Sequence, residues 1–277
     1  TTGGATDVLN WLEEWLQTEW PELDVYLTSV TEQWSVATLS GPNARDILEA
    51  AGISIDLSDS EFPFMSIREG YISGLPARLF RISFTGELSY EINVPARYGL
   101  ALWQVLIKAG KPHGITPYGT EAMHVLRAEK GFIIVGQETD GTVTPIDLGM
   151  DWILSKKKTD FIGKRALERA SMADPERKQL VGLRTINPDH TIPEGAHVVL
   201  DPDQPLPMDM LGHVTSSYAS TSLGYSIALA LLKGGHKKHG ETVWIPMLDR
   251  QPPIQAVITN TVFYDAQGDR LNGAGTT

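Results

Sequence analysis

The sequence contains no cysteine. That removes disulfides, thiolate metal sites, cysteine-ligated iron–sulfur clusters and any cysteine nucleophile. No apolar run approaches the roughly 18 residues that a membrane-spanning helix needs, so no membrane partner is expected. Basic residues are few: 23 Lys and Arg stand against 34 Asp and Glu, a formal net charge of −11. Such a chain has no global field to attract nucleic acid or an anionic surface. There is no Gly-x-Ser-x-Gly elbow, Walker loop or dinucleotide glycine fingerprint, and no internal repeat. The chain opens Thr1-Thr2-Gly3-Gly4, without Met and without the basic and apolar regions of a signal peptide. The expectation is that it starts at a processed or internal point.

What is present is globular in texture. The 277 residues are 42% hydrophobic and 21% charged. That length accommodates about two domains and a core that needs no covalent staples.

Helical periodicity is clear near the start. Val8, Trp11, Leu12, Trp15 and Leu16 form one apolar stripe, Thr6 or Asp7 can cap it, and Pro21 bounds it. Strand-like runs follow at 25–30 and 34–39, then a short helix at 44–51 ended by Gly52. Runs at 78–84 and 88–94 read as strands joined by Thr85-Gly86-Glu87. Pro95 then opens a helix with Leu100, Trp103, Leu106 and Ile107 on its apolar side, closed by Gly110. That order suits a split β-α-β, ferredoxin-like unit with helices on one face of an antiparallel sheet. Further helices are predicted over 120–130 and 160–171. From Gln179 onward short β-rich runs at 180–183, 197–200, 212–217, 242–245 and 254–258 alternate with turns, as in a small all-β module.

Few residues stand out chemically. In the second of the two strands, Tyr90, Ile92 and Val94 share one face and Ser89, Glu91 and Asn93 the other. A buried Glu91 carboxylate needs donors to offset its desolvation. A pterin or purine ring offers them, an exocyclic amine beside a ring N–H. The alternative is a solvent-facing glutamate on a half-exposed sheet. Arg127, within the 120–130 helix, can clamp a carboxylate or phosphate, or lie on a solvated helix face. Lys156-Lys157-Lys158 is a solvated loop. His236 and His239 lack the further ligand a metal requires, so no metal site is expected.

Taken in order, several segments resemble the aminomethyltransferase (glycine-cleavage T-protein) superfamily of folate-binding proteins. They are Leu39-Ser40-Gly41-Pro42-Asn43-Ala44, Phe84-Thr85-Gly86-Glu87 with Tyr90-Glu91-Ile92, Leu126-Arg127 with Glu129 and Gly131, and Gly149-Met150-Asp151-Trp152. Gly212-His213-Val214-Thr215-Ser216 and the run Leu223-Gly224-Tyr225-Ser226 continue the series. The wording at 1–5, 15–20, 27–33 and 124–131 is similar to one branch, the folate domain of heterotetrameric sarcosine oxidase α subunits.

The resemblance implies an α+β chain. It would comprise the remainder of a first lobe (1–24), a ferredoxin-like lobe (25–112), a return to the first lobe (113–176) and a C-terminal β-barrel module (177–277). The N-terminal part of the first lobe would be absent. It implies tetrahydrofolate as cofactor, with flavin and NAD only in other parts of a sarcosine oxidase complex. The partners would be the other subunits of that complex and a small-molecule substrate, with no nucleic acid and no membrane, in the cytoplasm. Folate would accept the one-carbon unit of the imine from sarcosine oxidation, giving glycine and methylenetetrahydrofolate. The chain alone would be inactive.

By resemblance Glu91 holds the pterin, Phe84 and Trp152 are aromatic contacts, and Tyr90 and Arg127 are further cofactor-binding candidates. Where the family carries an arginine for the folate glutamyl tail, this chain has Met123. The family's catalytic aspartate falls before Thr1, so no catalytic residue is assigned. Two rivals remain at this level. An aminomethyltransferase of the glycine cleavage system would act on a lipoylated carrier. A non-catalytic folate-binding or assembly module would bind folate without forming product.

Overall fold

The computed structural model describes residues 2–247 and 251–273. The chain forms two compact units. The first comprises Thr1–Ser83, Glu87–Pro117 and Arg270–Thr277, the second Phe84–Gly86 and Tyr118–Asp269.

The first unit begins with helix α1 (Ala5–Thr18), preceded by a single 3-10 turn. Thr6 and Asp7 already lie inside the helix, so neither caps it, and Gly4 stands at the cap position. The apolar stripe is present but no residue of α1 is buried. Its tryptophans instead pack on one another: Trp11 meets Trp15 edge-on at 6.2 Å and Trp20 stacks on Trp15 at 5.4 Å. Residues 25–30 form no strand. Val25, Tyr26 and Val30 are exposed there, and no neighbouring strand among the described residues supplies a ladder.

Strands β1 (Trp34–Ser40), β2 (Ile67–Ile72), β3 (Leu75–Phe80) and β4 (Ser89–Pro95) make an antiparallel sheet in the order β1-β4-β3-β2. β1 and β3 run the same way with β4 inserted between them. Helices α2 (Ala44–Ala50) and α3 (Gly99–Gly110) supply Ile47, Leu48, Leu102 and Leu106 to a core shared with Leu79, Tyr90, Ile92 and Val94. The expected antiparallel sheet with helices is therefore present, but its details differ. β2 escaped the sequence reading because only its ends are apolar. It joins β3 through Ser73 and Gly74, both at positive φ (49° and 78°), the conformation of a tight two-residue hairpin turn. β3 ends at Phe80, so residues 81–88 form a longer connection than the three-residue turn expected. On α3 the expected Leu100 and Trp103 are exposed; the expected Leu106 does face the core, joined by Leu102, which the spacing did not pick out.

The second unit holds α4 (Thr120–Glu129), which stops at Gly131 with φ +74°. The helix expected over 160–171 is two four-residue helices, α5 (Lys164–Leu167) and α6 (Ala170–Ala173), separated where Arg169 turns extended (ψ 139°). Strands β5 (Lys178–Thr185), β6 (His197–Val198), β7 (Gly212–Ser220), β8 (Tyr225–Lys233), β9 (Thr242–Ile245) and β10 (Ile254–Thr259) pair in the order β6-β7-β8-β5-β10-β9. Val199 and Trp244 bridge the two ends, exchanging both backbone hydrogen bonds at 2.9 Å. The sheet thus curls into a near-closed barrel, which leaves no long open edge. β8, buried along most of its length, lies between β7 and β5, and its continuous apolar run conceals it from a search for alternation. No helix among the described residues is long and apolar enough to cross a membrane.

Ile92 is fully buried on β4. Ile92→Ala should cost about 2–5 kcal/mol in urea unfolding, the transfer and cavity terms of a core truncation. Thr38→Ala, at an exposed position of the adjoining β1, should stay within about 0.5 kcal/mol.

Candidate functional site

The two faces of β4 behave differently. Tyr90, Ile92 and Val94 are fully buried, as their shared face predicts. Glu91 and Asn93 take the other face and are half-buried. Across the sheet Glu91 lies level with Thr38 of β1 and with Phe80 of β3, which is itself level with Ile67 of β2. A carboxylate thus stands in a row with an aromatic and an aliphatic side chain. Among the described residues no hydrogen-bond donor or cation pairs with it. Burial accordingly pushes the Glu91 carboxyl above its ordinary range. An unpaired, half-desolvated carboxylate on an open sheet face has acceptor capacity to offer to a ligand carrying N–H donors.

Tyr90 has a different place. Its ring packs at 5.8 Å from Phe62 inside the first unit's core, and its hydroxyl accepts from Arg45 Nε at 3.5 Å. Arg45 and Arg81 both donate to Asp59, each at 2.7 Å. Partial burial opposes ionisation of Asp59, but the hydrogen bonds and charges of the two guanidiniums outweigh it and hold its carboxyl below the usual range. Tyr90 is therefore a core residue tied to an ionic cluster, with no open side in the first unit.

Phe84, Trp152 and Arg127 belong to the second unit. Phe84 is half-buried at the start of a short segment whose Thr85 and Gly86 are buried. Trp152 lies on a 3-10 turn (Asp151–Ile153) and is 75% exposed, an unusual position for a large aromatic side chain. The loop before it is clamped at its base. Asp147 accepts from the Arg177 guanidinium, from the Thr144 amide and from the Thr144 hydroxyl, at 2.8–2.9 Å.

Arg127 is neither on a solvated helix face nor open toward a ligand, and both expectations for it are corrected here. It is fully buried on α4 and donates inward. Nη1 reaches Glu138 Oε2 at 3.2 Å and the Phe132 carbonyl at 3.0 Å; Nη2 reaches Ser216 Oγ at 2.6 Å and the Tyr218 hydroxyl at 3.3 Å. Glu138, equally buried, accepts from Ser216 Oγ and from the Ile134 amide. Sequence reasoning missed Glu138 and Ser216, since no spacing links positions 11 and 89 residues away. It also gave no role to the two residues after Ala128. The Glu129 carboxylate accepts from Ser220 Oγ at 2.6 Å, and Lys130 Nζ meets the Asp265 carboxylate at 2.7 Å. Met123, two turns earlier on α4's opening half, is partly buried and brings no charge.

Lys156, Lys157 and Lys158 are exposed in a loop, and His236 and His239 are exposed around a short turn. No cluster of three or more His, Asp or Glu among the described residues is arranged for a metal ion.

Comparison with known proteins places this geometry in context. Residues 1–158 match the family described as the GCVT N-terminal domain, and residues 178–265 match the glycine cleavage T-protein C-terminal barrel domain. A sarcosine oxidase subunit alpha from Corynebacterium sp. (strain U-96) is 48% identical over 278 residues, covering 99% of this chain and 28% of that protein. A sarcosine oxidase subunit alpha from Rhizobium meliloti (strain 1021) is 42% identical, covering 98% of this chain and 28% of its own length. The chain thus spans under a third of the length of these two relatives. Among solved structures, the glycine cleavage system aminomethyltransferase T from Bartonella henselae superposes with a TM-score of 0.77 at 24% identity, over 96% of this chain and 67% of that one. That likeness establishes the fold.

Arg127→Met should leave Glu138 as an uncompensated buried charge and cost about 3–5 kcal/mol. The double change Arg127→Met with Glu138→Leu should recover a large part of that loss in thermal or urea unfolding, because both charges leave the interior together.

Proposed function

The chain belongs to the glycine cleavage T-protein family, and from that premise we propose that it is the folate-binding part of a sarcosine oxidase α subunit. The observation that carries the reading is Glu91: a half-buried carboxylate with no hydrogen-bond donor among the described residues, on an open sheet face beside Phe80. A pterin ring fits it, since an amine and an adjacent ring N–H are the donors such a carboxylate lacks. Phe84 and the exposed Trp152 are the proposed aromatic contacts of the folate. Tyr90 acts from within the core, holding β4 in place behind Glu91. Arg127 supports α4 internally, so the glutamyl tail is held by other groups, with Met123 contributing apolar contact only.

Bound tetrahydrofolate would supply the nucleophilic nitrogen that takes up the one-carbon unit. The protein's part is to bind and orient. Glu91, in its ionised form, fixes the ring by two charge-assisted hydrogen bonds, and the aromatic residues exclude water from it. Orientation of one reactant against another is a proximity effect and needs no acid or base from this chain. On this reading the imine is delivered from sarcosine oxidised elsewhere in the complex, where flavin and NAD reside, and the products are glycine and methylenetetrahydrofolate.

Calorimetry on the full-length protein tests this. Glu91→Ala should weaken tetrahydrofolate binding by more than tenfold, more than about 1.4 kcal/mol. Unchanged affinity would sink the assignment. The pH dependence has a definite sign. Burial raises the Glu91 pKa in the folded, ligand-free protein, so its ionised form disfavours folding at neutral pH and that penalty fades as pH falls. Glu91→Gln should therefore melt no lower than the wild type at pH 7 while losing folate affinity. Wild-type affinity should begin to fall at a pH above the ordinary glutamate value of about 4.3.

A further inference from the structure

We propose that Lys130 is a positioning residue for the folate site, acting through the segment that carries Phe84; this rests on the folate reading above. Phe84–Gly86 groups with the second unit although the residues on either side of it belong to the first. What holds it there is visible at Gly86. A Cβ built on this glycine would lie 2.8 Å from Lys130 Cγ, 2.9 Å from Cδ and 3.0 Å from Cβ. The backbone at Gly86 therefore rests directly on the aliphatic stem of Lys130. Its φ of +82° also favours glycine. Thr85, beside it, is buried.

The stem is itself fixed at both ends. At its root, Lys130 follows the last residue of α4, where the Glu129 carbonyl accepts from the amides of Phe263 and Tyr264 at 2.9 and 3.0 Å. At its tip, Nζ donates to both the carboxylate and the backbone carbonyl of Asp265. Both partners of this ion pair are about nine-tenths buried. Asp265 adopts a left-handed backbone conformation (φ +50°), and its other carboxylate oxygen accepts from the Asp269 amide at 3.0 Å. A lysine in ordinary surroundings has a mobile stem with several rotatable bonds. Here the ammonium is anchored, so the stem becomes a fixed floor. The floor sets the height of the Phe84–Gly86 segment and with it the position of the Phe84 ring.

A double-mutant cycle on the full-length protein tests this, with tetrahydrofolate dissociation constants measured by calorimetry. Lys130→Ala should weaken binding about tenfold, and Phe84→Ala by a comparable factor. The double variant should bind no more weakly than Phe84→Ala alone, because Lys130 has no effect left to exert once the ring is gone. Lys130→Arg, which keeps a stem and a cation, should restore most of the affinity. Should Lys130→Ala fail to fold, Asp265→Asn takes its place in the same cycle, since it loosens the ammonium and leaves the stem. Additive losses, or wild-type affinity in the Lys130 and Asp265 variants, overturn the proposal. Glu91→Ala measured alongside separates the two levels. If it loses affinity while the Lys130 and Asp265 variants do not, the positioning role alone fails. If Glu91→Ala and Phe84→Ala both bind as the wild type, the folate reading fails and takes this proposal with it.

Discussion

Burial of the Arg127 guanidinium is the constraint on which the second unit depends. A charge removed from water must be matched by a counter-charge and by enough acceptors, or the unit cannot close. Glu138 supplies the charge, while Ser216, Tyr218 and the Phe132 carbonyl supply the acceptors. The partners come from two other pieces of chain, so satisfying one side chain joins α4, the loop after it and β7. The following residues extend the same logic. Glu129 takes Ser220 at the far end of β7, Lys130 takes Asp265, and Gly131 lies so close to Thr261 that a Cβ would meet its carbonyl oxygen at 2.6 Å. Four of the five residues from Arg127 to Gly131 thus tie the end of this helix to the rest of its unit, mostly through polar contacts. Apolar packing in this unit lies elsewhere, in the barrel interior and in the smaller cluster of Leu180, Leu229 and Leu231.

The first unit solves its problem by apolar means. Its sheet has one face closed by α2 and α3, and period-two alternation along β4 sends three residues into that core. The same alternation leaves Glu91 and Asn93 on the opposite face. Register is rigid in such a sheet, because a one-residue slip would bury Glu91 and expose Tyr90. The Glu91 carboxylate is therefore placed by the packing of its immediate neighbours in sequence. Arg45 and Asp59 reinforce that placement, since they engage the Tyr90 hydroxyl side without touching the open face.

Local periodicity made the faces of β4, the extent of α4 and most barrel strands legible in the sequence. The readings that failed share a cause. The run at 25–30 has the composition of a strand, but strand formation needs a partner, and none adjoins it. Leu100 and Trp103 were chosen by spacing together with Leu106, but only Leu106 is buried; α3 turns it and Leu102 inward because that is where α2 and the sheet lie. β8 was hidden because a strand central to a barrel is apolar throughout. Arg127 was the sharpest failure. Its partners are far away in the chain, and an arginine amid charged residues gives no sign that it will be wholly enclosed. The resemblance to a known family is what singles out Glu91, for which residue chemistry alone left two readings open, and it is the sole source of the proposals for Phe84 and Trp152.

Two kinds of charged group emerge from this comparison, and they differ in how completely they are satisfied. Arg127, Glu138, Glu129, Lys130 and Asp147 are buried with partners, and among them only Arg127 Nε lacks a hydrogen-bond acceptor among the described residues. Glu91 is the contrary case: half-buried, its pKa raised by desolvation, and without a donor among the described residues. A sequence under selection for stability alone would replace it by a neutral or apolar residue, since its charge works against folding at neutral pH. An unsatisfied carboxylate held in a rigid sheet makes physical sense where something outside the polypeptide completes it. The exposed Trp152 fits the same argument from the apolar side: a large ring left in water on a loop whose base is clamped by Asp147 and Arg177. Rigid support beneath, with unsatisfied chemistry above, is what a preorganised binding site requires, because the cost of ordering it has already been met in folding.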